Sequence, residues 1–81
     1  MADLMRSPRM AGALVRKARL AQGLTQKELA ARMNVRQATI SKLESGESAT
    51  RMAVLFDALA ALGLELVATT RSSKSGFEDM F

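Results

Sequence analysis

The stretch that decides the fold is GLTQKELAARMNVRQATISKLESG, residues 23–46. It opens on a glycine stop and passes at once into Thr25-Gln26-Lys27-Glu28. That tetrad is a capping box: the Thr hydroxyl accepts from the amide three residues on, and the Glu carboxylate reaches back to the cap. A short helix of about eight residues, Gln26–Met33, should follow, with Leu29 and Ala30 facing inward. Asn34 tolerates left-handed backbone geometry better than most residues, which suits a sharp turn. Val35 re-enters the core, and Gln37–Glu44 reads as a further helix with Ile40 and Leu43 inward.

A capped short helix, a three-residue turn and a second short helix make a helix-turn-helix. Its packing asks for a small residue where the helices cross, here Ala30, and a turn residue able to take positive φ, here Asn34. It also asks for apolar plugs, supplied by Leu29, Met33, Val35, Ile40 and Leu43. Upstream, residues 1–8 read as a flexible arm ending in the helix-entry signal Ser7-Pro8. From Arg9 a first helix presents Ala11, Val15, Ala18 and Gln22 on one face until Gly23. Downstream, Ser45–Ser48 is a loop, and Met52, Leu55, Phe56, Leu59 and Leu62 mark a fourth amphipathic helix ended by Gly63. Leu64, Leu66 and Ala68 then alternate with Glu65, Val67 and Thr69, the period of a short strand. Residues 71–81 are a Ser-rich linker followed by the acidic, aromatic-ended FEDMF.

The 81 residues make one small domain, whose lone core would be marginal, and dimerisation is a common remedy. Cys, His, Trp and Tyr are all missing, which removes disulfides, thiolate–zinc sites, Cys nucleophiles and every His-based general base. The eight acids form no cluster at a pocket-forming spacing, so an enzyme is the least supported class and no cofactor or metal is expected. Net charge is +4, divided unevenly between a +7 half (residues 1–42) and a −3 half (residues 43–81). A basic half suits a polyanion, and the asymmetry favours two binding roles over one uniform surface. No run approaches the roughly 18 apolar residues of a membrane span, and the N-terminus lacks a signal-peptide pattern, so a cytoplasmic location is expected.

Residues 9–63 resemble the Xre/Cro-like helix-turn-helix regulators, with residues 23–46 as the carrying motif. Two positions depart from that family: Asn34 stands where Gly is usual, and Arg36 where a Ser or Thr helix cap is usual. The segments VRQATISKLES and ATRMAVLFDALAALGLELVATT are similar to the HipB-type antitoxin subgroup, found beside kinase-like HipA toxins. The resemblance implies a mainly α, four- to five-helix λ-repressor-like domain over residues 9–70, with a short C-terminal dimerisation strand. It also implies an ion pair between Arg19 and Glu44, binding of a palindromic operator, and a HipA-like partner. A stand-alone Xre regulator without a toxin partner is the alternative.

In this fold the second short helix enters the major groove. Arg36, Gln37 and Ala38 then sit at its exposed start, with Thr39, Ser41 and Lys42 beside them. Arg can pair bidentately with guanine, Gln with adenine, and the Ala or Thr methyl with a thymine methyl. Gln26 and Lys27, opening the preceding helix, are phosphate-contact candidates. Lys17, Arg32 and Arg51 read as solubilising charges. A lone strand has no mate within a helical domain, so pairing with a two-fold copy is expected. That dimer would use Phe56, Leu59, Leu64, Leu66, Val67 and Ala68. Phe77 and Phe81 of the tail are offered to a protein partner.

Overall fold

The computed structural model describes residues 4–47 and 49–71, and among them four helices form the domain. They are α1 (Pro8–Ala21), α2 (Gln26–Met33), α3 (Gln37–Ser45) and α4 (Met52–Ala61). Each boundary has a local cause. Ser7 caps α1 by accepting from the Met10 amide at 3.1 Å, and Pro8 occupies the first turn, where its missing N–H costs nothing. α1 therefore begins one residue before the expected start at Arg9. Asn34 takes the left-handed conformation (φ 57°, ψ 44°) that ends α2, as its side-chain type suggested. Gly46 does the same after α3 (φ 81°), and a Cβ there would lie 2.6 Å from the Arg9 Cα.

Val15, Leu29 and Ile40, one from each of the first three helices, are the fully enclosed centre of the core. Leu24, Ala30, Leu43, Ala58, Leu59 and Leu62 complete it, with Met33, Val35 and Leu55 packed at its edge. The inward residues of the helix-turn-helix are thus those expected. α4 keeps Leu55, Leu59 and Leu62 of its expected stripe against the core and turns Met52 and Phe56 out. Ala58, Leu59 and Leu62 point inward, while Met52 and Phe56 are 70% and 49% exposed. Nearly every side of MAVLFDALAA is apolar, so hydrophobic spacing could not mark those two as outward. Leu59, expected at a dimer surface, is 3% exposed and belongs to the core instead.

The helix count falls within the expected four to five, and the expected C-terminal strand is not formed in this single protomer. No fifth helix occurs among the described residues, and residues 64–71 carry no regular secondary structure. A strand exists only through hydrogen bonds to a neighbour, and this single protomer offers Leu64–Thr70 none. The segment leaves α4 through Gly63, with the Leu64 amide donating to the Leu59 carbonyl at 2.7 Å. Residues 72–81, which contain the expected linker and tail, lie outside the described residues.

Two close contacts lock α1 against the recognition unit. Gly12 is buried where α1 meets the last turn of α3, and a Cβ there would collide with the carbonyls of Leu43 and Glu44. Two turns further along α1, Arg19 forms a bidentate ion pair with Glu44: Nε donates to Oε2 at 2.7 Å and Nη2 to Oε1 at 3.0 Å. Nη1 donates to the Leu24 carbonyl at 2.7 Å, and Gln26 Nε2 donates to Glu44 Oε1 at 3.1 Å. The side chains are only 8% and 3% exposed, so solvent scarcely screens the pair. The bond to Glu44 outweighs the cost of burial and holds the guanidinium pKa above its ordinary value. The ion pair implied by resemblance is therefore present, and Gln26 is its third member.

Gly12→Ala should force α1 away from α3 and cost about 1–3 kcal/mol, as overpacking does. That is a large share of the roughly 4–12 kcal/mol expected for a domain of this size, and thermal denaturation should show a loss of at least about 4 °C. An unchanged melting temperature would refute the close-approach role of Gly12. Removing either member of the ion pair alone (Arg19→Met or Glu44→Leu) should cost about 3–5 kcal/mol, because a buried charge loses its partner. The double variant should regain part of that loss in urea denaturation. Losses that simply add would show the two side chains to be uncoupled.

Candidate nucleic-acid interface

α2 and α3 build the site together. Thr25 accepts from the Glu28 amide at 3.0 Å, and Glu28 Oε1 accepts from the Thr25 amide at 2.9 Å, completing the capping box. The backbone donor of Thr25, aided by its hydroxyl and by Arg32, holds the Glu28 carboxyl below its usual range. The first amides of α2 point out of the helix end, and Lys27 stands exposed among them. Gln26 is half-buried, with its side-chain donor turned to Glu44. What Gln26 presents outward at this end is its backbone amide, so its side chain is a brace member as much as a surface group.

α3 starts without a side-chain cap. Arg36 has extended backbone geometry (φ −78°, ψ 151°) and its side chain makes no cap bond; the turn is closed by the Thr39 amide donating to the Arg36 carbonyl at 3.0 Å. An Arg at the cap position satisfies no helix amide, but it leaves an exposed guanidinium with no partner among the described residues. Gln37, Ala38, Ser41 and Lys42 are exposed along the same helix, whereas Thr39 is half-buried beside Ile40. The first turn of α3 thus presents Arg36, Gln37 and Ala38 at its mouth, with Ser41 one turn behind Gln37 and Lys42 beside it. Behind this face, Ile40 and Leu43 are anchored in the core. A rigid helix with polar and cationic side chains at its open N-terminal end is the geometry by which a helix reads base edges.

The expected dimer residues fall into two groups. Phe56, Leu64, Leu66 and Val67 are 49%, 37%, 45% and 76% exposed, and Ala68 is exposed as well. Leu59 lies in the core. Phe77 and Phe81 lie outside the described residues. Gly12 and the Gln26–Glu44 contact went unread in the sequence, yet a glycine inside a helical pattern is itself a sign of close approach. No helix among the described residues is long and apolar enough to cross a membrane.

Comparison with known proteins agrees with this geometry. A family model described as helix-turn-helix matches residues 15–68, two thirds of the chain. No curated protein matches the sequence significantly. Among solved structures, the chain is similar to one in a HipA-HipB-O2-O3 complex, with 29% identity and a TM-score of 0.79 over 85% of this chain and 97% of that one. It is also similar to a single-site variant of HipB in an O2 20mer complex, with 28% identity and a TM-score of 0.80 over 86% and 97%. A HipB-O4 20mer complex gives 29% identity and a TM-score of 0.79 over 85% and 97%. The chain belongs to the helix-turn-helix family, as a DNA-binding regulator of the Xre type with a HipB-like fold.

Proposed function

We propose that this chain is a sequence-specific repressor that binds a palindromic operator as a homodimer and serves as the antitoxin of a HipA-like kinase toxin. The observation that carries the DNA reading is the exposed, uncapped start of α3, where Arg36 and Gln37 stand clear of the protein while Ile40 and Leu43 fix the helix from behind. Arg36 is assigned to guanine O6/N7 and Gln37 to adenine N6/N7, with Ala38 and the Thr39 methyl against thymine. Ser41 and Lys42 take a base edge or the flanking phosphates. Gln26, through its backbone amide, and Lys27 hold a phosphate at the positive end of α2.

The dimer follows from apolar surface with no use in one protomer. Leu64, Leu66 and Ala68 pair as a strand with the same segment of a two-fold copy, and Phe56 and Val67 pack beside them. The edge then gains its hydrogen-bond mate and the exposed side chains are covered. Two recognition helices would sit ~34 Å apart, one turn of duplex, which calls for an inverted-repeat operator. Support for the toxin partner comes from likeness to a chain solved in a HipA-HipB complex, and Phe77 and Phe81 are the residues assigned to that contact.

Arg36→Ala should lower discrimination at one operator position by ~1–3 kcal/mol, about 5- to 150-fold, whereas Lys27→Ala should weaken all sequences alike and flatten the salt dependence by about one phosphate contact. Fluorescence anisotropy with operator and scrambled duplexes, across a salt series, separates these outcomes. Operator preference unmoved by Arg36→Ala would overturn the base-reading assignment. Co-expression with the kinase-like product of an adjacent gene should yield a stable complex. Operator binding without any such complex would leave the stand-alone regulator as the correct reading.

A further inference from the structure

The basic half of the chain has a second surface that the recognition helix does not use. An open groove of about 640 Å³ runs along the outer side of α1 to the end of α3. Arg9 and Arg16, two turns apart, line it with the apolar Ala13 and Leu20, and Glu44 and Ser45 close its far wall. Both arginines are exposed and have no partner among the described residues. Glu44 is neutralised by Arg19, and Lys17 lines the same wall but is already engaged. Leu20 is 52% exposed, so the floor is apolar while the rim is cationic. A phosphate backbone would satisfy only the rim. The groove fits a short segment carrying carboxylates and bulky apolar side chains together.

This chain contains one. Residues 77–81, FEDMF, set Glu78 and Asp79 between Phe77 and Phe81 with Met80 alongside. Extended, residues 77, 79 and 81 share a face, so an acid lies between two aromatic rings. The four extended steps from Phe77 to Phe81 span ~13 Å, close to the ~16 Å that the helix covers from Arg9 to Leu20 at 1.5 Å per residue, and the long side chains at both ends close the difference. Phe77 can then cover Leu20, Asp79 can meet Arg16, and Phe81 can lie under the Arg9 guanidinium as a cation–π pair. The point of departure is close. Gln22 Nε2, just past the end of α1, donates to the Leu62 carbonyl at 2.7 Å, so the chain leaves α4 beside the Leu20 end of the groove. With residues 64–70 held in the paired strand, the seven steps from Thr70 to Phe77 still span up to ~23 Å, enough to turn back from a strand end ~20 Å from Leu64.

We propose that residues 77–81 dock into the α1 groove of their own chain, shielding Arg9 and Arg16 until a competing ligand displaces them. A tail captured there is withheld from any other protein.

The chain has no Trp or Tyr, so Phe77→Trp supplies a single reporter indole. In the full-length protein its emission should be shifted to the blue and protected from a soluble quencher. High salt, or Arg9→Glu with Arg16→Glu, should return it to the emission of a free indole, with far-UV circular dichroism confirming that the helices remain. Independently, ending the chain at Arg71 should move the amide resonances of residues 9–20 and 44–45 relative to the full chain. Solvent-like emission in the full-length protein, or resonance changes confined to the last few residues, would overturn the proposal. Mixed dimers separate the remaining occupant. One subunit carries Phe77→Trp with the charge-reversed groove, and its mate carries an intact groove and no tail. A blue-shifted indole there would place the segment in the second copy's groove and refute docking within one chain.

Discussion

Everything that faces outward in this domain depends on one buried charge pair. Arg19 and Glu44 join the end of α1 to the end of α3, and the same guanidinium holds the Leu24 carbonyl that leads into α2. One side chain therefore ties together the three segments whose relative positions define a helix-turn-helix. In water the pair would contribute little, but at this burial neither partner can lose the other without leaving a desolvated charge. The network also explains Gln26. Its carboxamide fixes the start of α2 to Glu44, so the amides of that helix end are aimed by the core and not by a mobile surface chain.

Around this brace the domain divides by charge and polarity. The exposed start of α3 and the groove of α1 hold most of the basic half. α4 and the segment that follows it hold most of the large exposed apolar side chains among the described residues, Met52, Phe56, Leu64, Leu66 and Val67. A core of ten buried apolar residues among the described residues leaves such surface uncovered in one protomer.

Much of the helix-turn-helix was legible because its signals are local. A capping box, a left-handed Asn and the placement of Leu29, Ile40 and Leu43 need only neighbouring residues to be interpreted, and α2 has the bounds its sequence announced. α4 was legible as a helix with Leu55, Leu59 and Leu62 inward, but the outward turn of Met52 and Phe56 was not, because apolar residues occur on nearly every side. The segment from Leu64 to Thr70 has the alternation of a strand, yet alternation describes only a preference. Without a mate there is no ladder.

The sequence by itself determined the helices, their caps and the residue types at the open end of α3, since each follows from interactions within three or four positions along the chain. Tertiary structure decided what those types are used for. It buried Leu59 and exposed Phe56, and it required Gly12 to have no side chain where two backbones touch. It also turned Gln26 inward to Glu44 while leaving Arg36 outside. These choices hinge on contacts between residues far apart in sequence, such as Arg19 with Glu44 and Gln22 with Leu62, whose energies exist only once the helices have packed.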